Sequence, residues 1–123
     1  MVLNIGGISN FTYLDGKHTF LGSDCGPGNA LMDIYCQSFL NCPFDRKGEL
    51  AKKGEIHLPS LHQMLSHPFF KRRHPKSTGK EIFNIRFIPK QLLKRSSYDI
   101  LATLTELTAI CISKSLSSQK KFP

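Results

Sequence analysis

The apolar positions run in two rhythms. At the start, Val2, Leu3 and Ile5 make a short apolar stretch stopped by Gly6-Gly7, which predicts a buried strand over residues 2–6. Phe11-Thr12-Tyr13-Leu14 is aromatic and β-branched and predicts a second strand. Asp15-Gly16 follows and suits a type I′ hairpin turn, because glycine takes a positive φ at no steric cost. Thr19-Phe20-Leu21-Gly22 predicts a third strand, so the opening reads as an antiparallel meander. From residue 30 the rhythm changes. Ala30, Leu31, Ile34, Tyr35 and Phe39 recur at helical spacing, with Gly28 or Asn29 placed to cap that helix and Pro43 to limit it. Residues 58–66 predict a second helix that carries Pro59 in its first turn. Residues 75–79 predict a loop, and 81–87 either a short helix or an extended segment. The last element is the clearest. Ser96-x-x-Asp99 reads as a capping box, and Ile100, Leu104, Leu107 and Cys111 form one stripe. They predict a helix over residues 97–116, followed by a polar, basic, frayed tail over 117–123.

Three strands followed by helices make an α/β chain, in the order that opens a ribonuclease-H-like domain. Such a domain continues with further strands in the same sheet. None is predicted behind the last helix, which leaves the meander with an uncovered edge. The 123 residues fit a single domain. No apolar run approaches the roughly 18–20 residues that span a bilayer. Residues 1–4 carry no basic n-region and no small-residue cleavage site, which predicts a cytoplasmic chain, no membrane partner and reduced thiols.

Charge adds less than its size suggests. Lys and Arg number 17 against 9 Asp and Glu, a formal net charge of +8. Residues 44–95 hold 13 of the basic and 4 of the acidic side chains. The densest cluster, Lys71-Arg72-Arg73-His74, lies between Pro68 and Pro75 and reads as a turn rather than as a basic helix. A nucleic-acid module is therefore the weaker reading beside a solvated surface, or one that draws in an anionic small substrate. Cys25, Cys36, Cys42 and Cys111 include no Cys-x-x-Cys pair, and His57, His62 and His67 recur every five residues rather than every three or four. Neither pattern suits a metal site, and none is expected.

Three stretches can carry chemistry. In Asn4-Ile5-Gly6-Gly7-Ile8-Ser9-Asn10, glycines at a strand-to-strand turn let backbone N–H groups approach a phosphate, although tight geometry alone also explains them. In Asp24-Cys25-Gly26-Pro27-Gly28-Asn29, a carboxylate at the end of a strand can act as a general base, and the helix N-terminus behind it can hold an anion or a polar substrate group. A turn-capping role for Asp24 stays equally open. Pro75-Lys76-Ser77-Thr78-Gly79 lacks the Gly-x-x-x-x-Gly-Lys pattern of a P-loop and reads locally as a basic turn.

Taken together, these phrases resemble the anhydro-N-acetylmuramic acid kinase family. The family pattern Asn-Ile-Gly-Gly-Ile-Ala-Asn is similar to residues 4–10. Asp-Thr-Gly-Pro-Gly-Asn with a Leu-Met-Asp continuation is similar to residues 24–33. Pro-Lys-Ser-Thr-Gly-Arg/Lys-Glu-x-Phe-Asn corresponds to 75–84, and Ala-Thr-Leu-Thr-Glu-Leu-Thr-Ala to 102–109. Four phrases in order over nearly the whole chain make the likeness specific. It implies part of an actin-like ATPase domain, with residues 1–116 as the front of the family's second domain.

The resemblance also implies ATP and Mg2+, and a reaction in which water opens the anhydro bridge of 1,6-anhydro-N-acetylmuramic acid while O6 takes the γ-phosphoryl group. Asp24 would be the general base for that water. Gly6, Gly7 and Asn4 would lie at the ATP phosphates, and Asn10, Gly26, Gly28 and Asn29 at the sugar. Two departures stand out. The family's first phosphate loop, Gly-Thr-Met-Ser-Gly-Thr-Ser in type, and its later Gly-Gly-Gly adenosine loop are absent from these residues, so activity is expected to need a complementary kinase fragment. Cys25 stands where threonine is usual, which removes a good hydroxyl donor.

Overall fold

The computed structural model describes residues 1–14, 16 and 20–119. Three strands, β1 (Val2–Ile5), β2 (Ile8–Leu14) and β3 (Phe20–Pro27), form an antiparallel sheet in the order β1-β2-β3. The meander is as expected, but β3 is longer than expected and runs through Asp24 to Pro27. The type I′ turn proposed at Asp15-Gly16 falls largely on residues outside those described.

One irregularity matters for everything that follows. Asn10 pairs with Asp24 and Ser9 with Gly26, so Cys25 is an extra residue in β3, a β-bulge. One sheet face carries Ser9, Phe11, Ser23 and Cys25, all buried. β1 departs from the expected buried strand. Val2 is 60% and Ile5 53% exposed, because β1 is an edge that pairs only with β2 and has no layer packed over it among the described residues.

Among the described residues four helices follow: α1 (Ala30–Phe39), α2 (Leu58–Leu65), α3 (Lys90–Leu93) and α4 (Ser97–Gln119). Short 3-10 turns lie at Arg46–Gly48, Ala51–Lys53, Pro68–Lys71 and Ile85–Phe87. Residues 81–87 are neither of the two expected forms over their full length, being turn and bend at 81–84 and 3-10 at Ile85–Phe87. α1 stops before Pro43 as expected: Asn41 takes φ 53° and the Cys42 N–H turns back to the Cys36 carbonyl at 3.3 Å. The capping box at α4 is formed on one side, with the Asp99 N–H donating to Ser96 Oγ at 3.2 Å. α4 continues to Gln119, so residues 117–119 are helical rather than part of a frayed tail.

α4 is the core helix. Ile100, Leu104, Leu107 and Cys111 are all at most 2% exposed, and the helix packs on β3, α1, α2 and the Ala51–Lys53 turn. Phe69, Phe83, Leu31, Met64 and Leu92 close the core around it. By length and composition alone, Ser97–Ser117 is apolar enough to cross a membrane, which corrects the expectation that no stretch comes near that limit. Half of it is buried inside the protein. Its buried hydroxyls are bonded, with Thr103 Oγ1 donating to the Asp99 carbonyl and Thr108 Oγ1 to the Gly28 carbonyl. Those are the marks of a core helix.

Leu107 is fully buried, and its truncation removes contacts that neighbouring elements cannot restore. Leu107→Ala is expected to cost about 2–5 kcal/mol, read as a lower urea midpoint. A midpoint unchanged from that of the parent chain would show that α4 is not the centre of the core.

Candidate functional site

Strand pairing assembles the site. Asn4 pairs with Asn10, and Asn10 with Asp24. Directly opposed residues share a sheet face, so these three polar side chains form one row across all three strands, on the face opposite Phe11 and Ser23. Asn4 is exposed, and Asn10 and Asp24 are half-buried. Asp24 does not end its strand, as the sequence suggested. It sits within β3, immediately before the bulge.

The Asp24 carboxylate is oriented by a second segment. The Thr78 N–H donates to Asp24 Oδ2 at 2.8 Å, and the Asp24 N–H donates to the Lys76 carbonyl at 2.9 Å. The Lys76 N–H donates to Ser23 Oγ at 2.9 Å, and that hydroxyl lies 2.5 Å from His74 Nδ1. Residues 75–79 therefore lie along β3 as an irregular fourth rung. These contacts fit Asp24 as an oriented carboxylate rather than a turn cap. Among the described residues no hydrogen bond is made to Oδ1.

The loop is held from inside by Lys76. Its Nζ donates to the Phe69 carbonyl at 3.1 Å and lies 4.4 Å from the centre of the Phe69 ring. Burial pushes this ammonium below the ordinary lysine range. Burial likewise holds the His74 ring below the ordinary histidine value, with the Lys76 charge adding to the effect. The Cys25 thiol is pushed up by burial, and Cys111 is pushed up to about 12 by burial and by Cys25. Neither thiol is an activated nucleophile, and all four cysteines are free.

The glycines do something other than expected. The carbonyls of Gly6 and Gly7 accept the N–H groups of Gly28, Asn29 and Ala30, at 2.8–3.1 Å. The hairpin thus caps α1, and Asn29 sits at the N-cap without a side-chain bond. The N–H groups of Asn29 and Ala30, expected to be free for an anion, are spent inside the protein. This union requires a glycine at 28, since a Cβ there would fall on the Gly6 carbonyl oxygen. Gly26 is required for another reason: its φ is 151°, with Phe70 and Cys111 against it. Gly26 and Gly28 are both buried, so they shape the site without lining it. Gly7 and Asn29 line a cleft of about 370 Å³ with Asp33, Gln37, Lys80 and Asn84.

Sequence reasoning missed Ser23, His74, Lys76, Thr78 and Thr108 as parts of this arrangement. The signal for Lys76 and Thr78 lay in the phrase at 75–84, which read locally as a turn. Thr108 braces Gly28 from α4, and Ser9 Oγ donates to the Gly26 carbonyl at 3.2 Å from the sheet side. Two of the evenly spaced histidines serve locally: His57 Nδ1 meets Ser60 Oγ at 2.7 Å, and His67 Nδ1 accepts the Phe69 N–H.

Comparison with known proteins shows the family. The family model for anhydro-N-acetylmuramic acid kinase matches residues 1–122. An anhydro-N-acetylmuramic acid kinase from Gamma-proteobacterium EBAC31A08 is 47% identical over 116 residues, 94% of this chain and 32% of the relative. One from Sulfurovum sp. (strain NBC37-1) is 47% identical over 116 residues, 91% of this chain and 32% of the relative. One from Shewanella frigidimarina is 45% identical over 121 residues, 95% of this chain and 33% of the relative. The chain spans about a third of the length of these curated relatives.

Gly28→Ala is expected to push the hairpin off α1, costing about 1–3 kcal/mol. Amide exchange should quicken at residues 28–30, and unchanged protection there would refute the capping role. His74 gives a pH dependence. Its folded value lies below the ordinary 6.5, so the unfolded chain takes up the proton first as the pH falls through that value. Stability is therefore expected to drop from about pH 7.5 to about pH 5.5, and the drop should shrink in His74→Asn. Equal slopes in the two proteins would remove His74 as its source.

Proposed function

We propose, since the chain belongs to the anhydro-N-acetylmuramic acid kinase family, that it supplies the general-base half of a kinase site for 1,6-anhydro-N-acetylmuramic acid. The observation that carries this reading is the Asn4–Asn10–Asp24 row, with the carboxylate fixed at Oδ2 by Thr78 and left open at Oδ1. Asp24 takes a proton from water through Oδ1 as that water's oxygen bonds to the anomeric carbon of the sugar. The bond from the anomeric carbon to O6 breaks, and O6 becomes the acceptor of the phosphoryl group. The product is N-acetylmuramic acid 6-phosphate. The fixed orientation of the carboxylate is what a general base needs, since its oxygen must come within about 2.6–3.2 Å of the proton it removes.

ATP with Mg2+, when bound, supplies the transferable phosphoryl group and spreads its negative charge. The hairpin tip fits a phosphate chain, because Gly7 is exposed and neither Gly6 nor Gly7 has a side chain to obstruct it. Asn4 adds an exposed amide on the adjoining strand. Asn10, between Asn4 and Asp24, is placed to bond the sugar. Gly26, Gly28 and Asn29 support the sugar side by shape. The reaction belongs to a cytoplasmic setting, in keeping with four free thiols.

These residues hold neither the first phosphate loop nor the adenosine loop of the family, so transfer requires a complementary kinase segment. The exposed apolar residues of β1 give such a segment an edge to join. The test combines labelled ATP, Mg2+ and the anhydro sugar with the purified chain. It is run alone and with the remaining segments of the Shewanella frigidimarina relative supplied as separate chains. No product is expected from the chain alone. Product is expected on complementation, falling about 10²–10⁴-fold in Asp24→Asn. Undiminished turnover in that variant would overturn the assignment of the base.

A further inference from the structure

Among the described residues, one buried side-chain oxygen or nitrogen has no hydrogen-bond partner: Oγ1 of Thr78. A buried hydroxyl without a partner is costly, and a valine of the same shape would avoid that cost. The orphan also sits beside the candidate general base, since the N–H of the same residue holds Asp24 Oδ2 at 2.8 Å. The backbone around it is irregular, Ser77 is exposed, and Thr78 as a whole is only half-buried while its oxygen is sealed. Rotation about χ1 carries the hydroxyl into the place held by the methyl, and the methyl into that of the Cβ hydrogen, without moving the N–H. The hydroxyl can thus reach the open side of the residue while the carboxylate stays clamped.

We propose that Thr78 is a ligand-binding residue of the Asp24 site. Its N–H aims the carboxylate, and its hydroxyl, turned outward, bonds an oxygen of the sugar on which Asp24 acts. The hydroxyl is unpartnered in the free protein because its partner arrives with the ligand. The inference rests on the reading of Asp24 as a base acting on a sugar. It adds a residue that nothing in the local sequence at 75–79 marked as more than a turn.

The test uses the full chain with Thr78→Val, which keeps the shape and the N–H, and Thr78→Ser, which keeps the hydroxyl. Thermal unfolding is measured without ligand. Affinity is read from amide shifts on titration with 1,6-anhydro-N-acetylmuramic acid. Thr78→Val is expected to melt at or above the parent temperature and to bind the sugar about tenfold more weakly. Thr78→Ser is expected to bind like the parent. Parental affinity in Thr78→Val overturns the inference. A lower melting temperature in Thr78→Val also overturns it, since the hydroxyl would then have a structural partner. A parent chain whose amides do not respond to the sugar overturns the sugar reading of the site itself, and this inference with it.

Discussion

The structure turns on a cap made by one piece of backbone for another. A helix begins with N–H groups that have no partner within it, and burying such an end without partners is unfavourable. In α1 the Gly6 and Gly7 carbonyls take the N–H groups of Asn29 and Ala30, and they reach them because residue 28 has no side chain. The contact fixes the hairpin relative to the helix and so fixes where the polar row of β1, β2 and β3 faces. Without it the β1–β2 end of the sheet would be tied to the core only through β3 and the buried face of β2, where Phe11 meets His74.

The next layer of support comes from hydroxyl groups buried in apolar surroundings. Thr108 on α4 donates to the Gly28 carbonyl, Ser9 on β2 to the Gly26 carbonyl, and Thr103 accepts the His57 N–H while donating within its own helix. Each satisfies a backbone group that the glycine-rich stretch or a loop would otherwise leave bare. A helix of pure hydrocarbon could fill the same space, but it could not brace the backbone at Gly28, just past β3. This is how Thr108 reaches the site without lying in it.

Much of this was legible from periodicity. The α4 stripe, the first helix and its stop, and the meander follow from the spacing of apolar residues and from proline and glycine. The candidate base was legible as an acidic residue ahead of a glycine-rich turn. What escaped is what depends on contacts distant in sequence. Residues 75–79 look like a basic turn until they lie against β3, and Lys76 looks like surface charge until its chain is buried against Phe69. The exposure of β1 escaped because an apolar run says that a strand prefers cover, not that cover is present.

The bulge at Cys25 has a consequence for how this segment tolerates change. In an unbroken strand, residues two apart share a face. Here Asp24 lies on the open face and Gly26 on the buried one, because the extra residue shifts the alternation by one step. Removal of Cys25 would make Asp24 and Gly26 neighbours, and ordinary alternation would then hold them on the two faces they already occupy. Cys25 is therefore the one position in this stretch whose loss leaves both the carboxylate and the packed glycine on their own faces.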